Sequence, residues 1–356
     1  MRTQRALTRQ TTAAAAVLAL AGAALAQTDS QFIYTNEADP GIDAFMGGAV
    51  QRLADVTNPG AFLGGIVRVG PDLFFTDGAG DADPSATSGL FRLSDPFGAA
   101  TISPVATGMP IENPIGLQWD AGRDNFIVID NAFTPTPDSV DGVLGITPGG
   151  SVSTIFREDL SVPRPRYQAA ARLAPDPTSN GFLVPSINGS GAVTGPGEDA
   201  GSALFRLNID GSLEGSTELI VDLADTSVTG LDAPLVDTAG VAVNPSTGLV
   251  YLTDRRAGAI YELALTADGA FDSIRAIIDG LDNPEEIQYD PFNDRLVFDE
   301  NIGEELGRIS QVELDGSERK ILVDEVDTRG LVVIPAPAGA AVLGLGGLAL
   351  ARRRRS

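Results

Sequence analysis

Asn283-Pro284-Glu285-Glu286-Ile287-Gln288-Tyr289-Asp290-Pro291 leads into Arg295-Leu296-Val297-Phe298-Asp299. Arg308-Ile309-Ser310-Gln311-Val312-Glu313-Leu314 follows, then the turn Asp315-Gly316-Ser317 and Arg319-Lys320-Ile321-Leu322-Val323. The order is a proline-bearing loop, an apolar run, a second apolar run ending in Asp, a third run, an Asp-Gly turn and a fourth run. Aliphatic and aromatic runs of this length, punctuated by Gly, Pro and Asp, predict four short antiparallel strands.

The same order stands immediately upstream. Ala239-Gly240-Val241-Ala242-Val243-Asn244-Pro245 leads to Leu249-Val250-Tyr251-Leu252-Thr253-Asp254, then Gly258-Ala259-Ile260-Tyr261-Glu262-Leu263, Asp268-Gly269 and Ile274-Arg275-Ala276-Ile277-Ile278. Looser copies begin at Gly65-Ile66-Val67 with Leu73-Phe74-Phe75-Thr76-Asp77, at Asn113-Pro114 with Phe126-Ile127-Val128-Ile129-Asp130, and at Gly181-Phe182-Leu183-Val184 with Ala203-Leu204-Phe205-Arg206-Leu207. One four-stranded sheet cannot bury both faces by itself, so repeated sheets must stack. Radial stacking predicts an all-β propeller of four-stranded blades; a two-sheet sandwich array is the alternative. The ends favour a ring. Phe32-Ile33-Tyr34-Thr35 reads as a second strand lacking its first, and Gly330-Leu331-Val332-Val333-Ile334 as a first strand lacking its second. Together they complete one blade, which with the five internal copies makes six.

Tyr251-Leu252-Thr253-Asp254 resembles the Tyr-Trp-Thr-Asp tetrad of the low-density-lipoprotein-receptor class B propellers, with Leu252 in place of Trp. Leu314 to Val323 is similar to the hairpin between third and fourth strands in that family and in NHL-type propellers. The resemblance covers residues 239–326 and implies a six-bladed, TolB-like propeller fold. Function does not follow from it, because propellers host many activities.

Composition narrows the chemistry. The chain of 356 residues carries a net charge of −24. Arg2, Arg5, Arg9 and Arg352 to Arg355 sit at the two ends; without these seven, 17 basic residues face 48 acidic ones, a net of −31. Such a body repels phosphate backbones, which argues against nucleic acid as a partner. Cys and His are both 0, which removes thiolate chemistry, Ser-His-Asp catalysis and imidazole metal sites. A metal would need oxygen ligands, which points to Ca²⁺. Any enzymology is left to carboxylates, Arg, Tyr, Ser/Thr, the single lysine Lys320 and metal-bound water.

The ends read as addresses. Residues 1–26 have a basic start, the apolar run from Ala13 to Ala21 and the small-residue cleavage pattern Ala24-Leu25-Ala26, as a secretory signal peptide does. Residues 335–356 hold Pro335-Ala336-Pro337, the apolar stretch Ala338 to Ala351 and four arginines. That tail resembles bacterial PEP-CTERM sorting signals, with Ala336 where the family has Glu; the resemblance implies an exosortase-type processing enzyme and membrane contact only through a transient tail. A short permanent anchor is the alternative. Both place the body, residues 27–334, at the cell surface, in the outer envelope or outside the cell.

Propellers gather their loops at the mouth of a central channel. Loops that precede first strands supply Glu112, Asn113, Asn283, Glu285 and Glu286; loops that follow second strands supply Asp77, Asp130, Asn131, Asp254, Arg255, Asp299, Glu300 and Asn301. Carboxylates and amides around a channel can ligate Ca²⁺. The set also resembles that of the gluconolactonase and senescence-marker propellers, which implies a divalent metal polarising a lactone. The alternative is structural, since an Asp that closes a strand readily accepts backbone N–H groups. Asp77, Asp81 and Asp83 form a second acidic pattern on a Gly-rich loop, fit for Ca²⁺ or for solvent. Glu198 and Asp199 sit in an insert, Trp119 reads as blade core, and Arg164 and Arg166 as channel or surface residues.

Three functions fit. One is a monomeric exported binding module for a glycan, small molecule or protein; one a metal-dependent lactone or ester hydrolase; one a structural component of an extracellular matrix.

Overall fold

The computed structural model describes residues 29–58, 60–78, 87–108, 110–131, 142–157, 172–187, 201–302 and 307–335. The described chain forms six four-stranded antiparallel sheets. Blade one holds β1 (Phe32–Asn36), β2 (Gly41–Met46) and β3 (Ala49–Asp55). Blade two is β4 (Leu63–Val69), β5 (Asp72–Asp77), β6 (Gly89–Ser94) and β7 (Thr101–Thr107). Blade three is β8 (Pro114–Asp120), β9 (Asn125–Asp130), β10 (Gly142–Ile146) and β11 (Val152–Arg157). Blade four is β12 (Ala174–Pro175), β13 (Phe182–Ser186), β14 (Ala203–Ile209) and β15 (Gly215–Asp222). Blade five is β16 (Thr238–Val243), β17 (Val250–Asp254), β18 (Ala259–Leu265) and β19 (Phe271–Ile278). Blade six is β20 (Pro284–Asp290), β21 (Arg295–Asn301), β22 (Gly307–Glu313) and β23 (Lys320–Asp324). Finally β24 (Leu331–Val333) returns to blade one. A one-turn helix, α1 (Thr226–Thr229), links blades four and five.

The expected closure is present. β24 pairs antiparallel with β1, Phe32 opposite Val333 and Tyr34 opposite Leu331, so blade one takes its innermost strand from the far end of the chain. Blade four departs from the other copies. Its innermost strand β12 is only 2 residues long and ends in Pro175, which has no N–H to give a ladder.

Why the sheets stack is visible in the second strands. Successive residues on a strand face opposite sides. In β5, Phe75 packs towards blade one and Phe74 towards blade three. In β9, Val128 and Ile127 divide in the same way, as do Val184 and Leu183, Leu252 and Tyr251, and Phe298 and Val297. The result is six apolar clusters, one at each blade interface. The last joins Phe32, Tyr34 and Leu331 of blade one to Val297, Ile309 and Val323 of blade six, which makes the stack a ring. Fourth strands form the rim and are mostly exposed, as in β19 and β7.

Inner strands of neighbouring blades lie side by side around the axis: β4 against β8, β16 against β20, and β24 against both β20 and β4. They come close enough to require glycine. A Cβ on Gly330 would stand 2.2 Å from the Gly64 carbonyl oxygen, and one on Gly240 2.2 Å from the Glu285 carbonyl oxygen.

Residues 1–28 and 336–356 lie outside the described residues, and with them Ala24, Ala26, Ala336 and Pro337; Pro335 is described and exposed just beyond β24. Among the described residues no helix is long and apolar enough to cross a membrane. Because backbone, not a flexible side chain, faces Gly330, Gly330→Val is expected to cost ~2–3 kcal/mol of stability in urea unfolding. Gly47→Ala, in the open turn between β2 and β3 where nothing lies within 4 Å, is expected to cost about 1 kcal/mol for its left-handed backbone alone.

Candidate functional site

The residues that close the second strands share one register and one job. Asp77 lies opposite Leu63, Asp130 opposite Pro114, Asp254 opposite Thr238 and Glu300 opposite Pro284. Each carboxylate accepts N–H groups from the loop that leads into its own blade. Asp77 accepts the Phe62 N–H at 2.9 Å and the Asn58 side-chain N–H at 2.7 Å. Asp130 accepts the Asn113 and Glu112 N–H groups at 2.6 and 3.0 Å. Asp254 accepts from Val236 and Asp237, both at 3.1 Å, and from Ala257 at 2.8 Å. Glu300 accepts the Asp282 N–H at 3.1 Å and also binds Arg308 and Arg319. All four are fully buried, and all four pin lead-in loops.

Asp299, grouped with these on sequence, sits one position earlier. Its counterparts are Thr76 and Thr253. Thr253 shows what that position does: its hydroxyl accepts the Gly240 N–H at 2.8 Å and donates to the Glu285 carbonyl at 2.9 Å, tying two inner strands together. In blade six a carboxyl stands there instead. Asp299 Oδ1 accepts the N–H groups of Glu285 and Glu286 at 3.1 and 2.6 Å, while Oδ2 is buried with no partner among the described residues. Burial, then the neighbouring Glu285 and Glu286 charges, push this carboxyl well above the usual range.

A buried arginine joins the cluster. Arg172, just ahead of β12, is 4 % exposed. Its Nε donates to Glu286, one terminal nitrogen donates to the Ile115 carbonyl at 3.1 Å, and the other to the Arg329 carbonyl and lies 3.9 Å from Glu285. One guanidinium thus links the inner-strand ends of blades one, three and six to blade four. Glu286 also accepts from Gln288 at 3.0 Å, and burial pushes its carboxyl up against the pull of Arg172. Glu285 receives the Asn301 side-chain N–H at 3.2 Å and lies 3.9 Å from Arg255, which pairs with Asp237 at 2.6 Å. Arg329 stacks 4.5 Å above the Phe62 ring and pairs with Glu37 at 2.8 Å. Burial outweighs Arg329 at Glu37 and raises its carboxyl to about 7.

The structure therefore gathers Glu285, Glu286, Asp299 and Asn301 at one place. Asn113 lies buried under its blade with neither carboxamide atom partnered among the described residues. Asn131 is half-buried and donates its N–H to the Asn113 carbonyl at 3.0 Å. Asn283 is exposed, with a left-handed backbone at φ 48°. Asp81, Asp83, Arg164, Arg166, Glu198 and Asp199 lie outside the described residues. Trp119 packs against Phe126 with ring centroids 4.8 Å apart.

A divalent metal does not fit the cluster. Among the described residues no three carboxylates converge as metal ligands. Where a cation would sit between Glu285 and Glu286 there is the Arg172 guanidinium. Sequence reasoning missed Arg172, Arg329 and Glu37. Their signal was weak but present: rare basic residues in an acidic body, in the loops ahead of inner strands, as Arg172 and Arg329 are.

Removing the Arg172 guanidinium strands Glu286 in the interior. Arg172→Met is expected to cost about 3–5 kcal/mol in denaturant unfolding, and Arg172→Met/Glu286→Met to recover much of it. Glu37 adds a pH dependence. Below its ordinary value of 4.5 it is protonated folded and unfolded, at no cost; as pH rises towards 7 only the unfolded chain releases the proton, so stability falls. The loss, on the order of 3 kcal/mol, is complete above that range. Glu37→Gln is expected to remove it, read as urea midpoints on either side of the window.

No protein-family model and no curated protein matches the sequence. Solved structures match the fold. A chain of a nidogen/laminin complex has TM-score 0.58 at 11 % identity, over 86 % of this chain and 98 % of that one. TolB from Acinetobacter baumannii has TM-score 0.57 at 9 % identity, over 87 % and 67 %. A gluconolactonase-family protein, described as putative, has TM-score 0.53 at 15 % identity, over 81 % and 86 %. At these identities the likeness is one of fold, and the fold is that of an all-β, six-bladed propeller with four-stranded blades.

Proposed function

We propose that this chain is an exported, monomeric binding module, in which the propeller is a rigid frame that presents loops and cavities to a ligand. The observation that carries the reading is the pairing of Glu285 and Glu286 with Arg172. A hydrolase of the lactone type needs open carboxylates around a metal-activated water; here the same carboxylates are spent on joining blades. Export rests on the two terminal addresses, with the body released by a signal peptidase at one end and an exosortase-type enzyme at the other. A surface or extracellular location suits a body with 48 acidic residues and neither Cys nor His.

Metal and ligand assays on the purified chain test this together. EDTA and millimolar Ca²⁺ are expected to leave the melting temperature unchanged, whereas a metal bound at 100 times its Kd adds about 2.7 kcal/mol. Glycan, small-molecule and protein panels are expected to return saturable binding without lactone turnover. Stoichiometric metal retained through dialysis, with lactone turnover abolished by Glu286→Gln, would overturn the reading.

A further inference from the structure

The seam between blade one and blade six, where the ring closes, holds a cavity of about 420 Å³. Tyr34, Asp43, Val50 and Arg52 form its blade-one wall, and Asp324 to Val326, at and just beyond the end of β23, form the facing wall. Strand register explains the first wall. Tyr34 lies opposite Asp43, and Asp43 opposite Arg52, so the three side chains leave the sheet on one side, the side that packs on blade six. Nearer the axis, Phe32, Tyr34 and Phe45 meet Val297, Ile309 and Val323. Farther out the apolar packing stops and carboxylates take over.

Five carboxylates line the cavity, with Asp39 and Asp55 beside Asp43, Asp324 and Glu325, against the one cation Arg52, a net of −4. Arg52 is wholly spent on its own blade. Its Nε donates to Asp43 at 2.5 Å, and its terminal nitrogens donate to Asp55 at 2.9 Å and Asp39 at 2.6 Å. The two N–H groups that remain go to the Asp39 and Pro40 carbonyls at 3.0 and 3.5 Å. Nothing is left for the facing wall. There Asp324 and Glu325 are exposed and make no side-chain hydrogen bond or ion pair among the described residues. The turn that carries them is nevertheless fixed. Glu325 has a left-handed backbone at φ 58°, and the adjoining Val326 is buried, its N–H on the Gly307 carbonyl at 3.0 Å.

The cavity also holds an unmet hydrogen-bonding group. Tyr34 is 1 % exposed, and its hydroxyl has no hydrogen-bond partner among the described residues. A buried phenol ordinarily finds one. Burial first and then the Asp43 charge push this hydroxyl's pKa up, against the pull of Arg52, so the group stands within reach of both charges. A metal ion does not suit the site, because among the described residues no three carboxylates converge as ligands. A guanidinium or ammonium does suit it, since several N–H donors on one cation serve acceptors that stand apart.

The outer lip of the cavity is a strand edge. β3 ends its sheet with no strand beside it among the described residues, and Val50 on it is 50 % exposed. An open edge next to an acidic pocket suits an extended segment whose backbone pairs along the edge while one side chain turns into the pocket. We propose that this seam is the docking site of a basic, extended polypeptide partner, one Arg or Lys of which enters the cavity among Tyr34, Asp324 and Glu325. A chain of net charge −24 attracts such a partner from a distance. The proposal rests on the reading of the chain as a binding module and adds the place and the partner class.

Fluorescence anisotropy of the full chain with a labelled heptapeptide of alternating threonine and arginine tests it, at about 0.15 M salt to screen long-range attraction. The same peptide with glutamate for arginine, and spermine as competitor, are the controls. The arginine peptide is expected to bind saturably and the glutamate peptide not. Asp324→Asn/Glu325→Gln is expected to weaken binding on the order of tenfold, and Tyr34→Phe about threefold, both with unchanged melting temperatures. Asp232→Asn/Asp272→Asn removes the same charge from two exposed positions elsewhere and is expected to leave the affinity within about twofold. Equal losses in the two double variants overturn the site, leaving only attraction by overall charge. Spermine that displaces the peptide at equal concentration overturns the polypeptide partner in favour of a free polyamine. No binding of the arginine peptide overturns the partner class, while a different ligand found in the wider panel leaves the binding-module reading standing.

Discussion

A blade of four strands cannot cover its own two faces, and everything in this molecule follows from how the last uncovered face is closed. The pairing of Leu331 to Val333 with Phe32 to Tyr34 settles it. That short ladder makes blade one from both ends of the chain and brings Phe32 and Tyr34 against Val297 and Ile309 of blade six. Without it the stack would end in two exposed apolar faces and an unpaired edge strand, the combination that folded β proteins avoid. With it, each second-strand side chain has a neighbouring blade to pack on.

Closing the ring forces six inner strand ends onto one axis, and the crowding sets the chemistry there. Where two inner strands meet most closely, Gly64, Gly240 and Gly330 remove the side chain. Where they leave polar backbone unpaired, side chains reach in: Thr253 bridges blades five and six, and Arg172 collects carbonyls from Ile115 and Arg329. A guanidinium suits this position because its planar fork serves several acceptors at once and stays charged when buried. Glu286 supplies the counter-charge that makes the burial tolerable. An acidic cluster that reads from sequence as a cation site is thus the mortar between blades.

The two ends of the axis differ as a consequence. One end is filled by Arg172 and its acidic partners. At the other end β12 keeps its neighbours' register, Pro175 opposite Phe182 as Trp119 is opposite Phe126, and Asp176 closes the turn as Asp120 and Asp290 do. There the Asp176–Arg206 clasp to the Gly269 turn locks blades four and five together.

The fold was legible in the sequence because it is written locally and repeatedly. Strand-forming runs, Asp-Gly turns and the unmatched strand at each end are properties of short segments, and repetition averages out their individual ambiguity. Even the structural use of Asp77, Asp130 and Asp254 was an open reading, since a carboxylate at a strand end and the loop it pins lie within a single blade. What tertiary structure alone decided involves partners far apart in the chain. Arg172 meets Glu286 across 114 residues, and no local pattern marks that meeting. Asp299 and Glu300 exchange roles because strand register, fixed by pairing with Pro284, places one at the axis and the other under the loop.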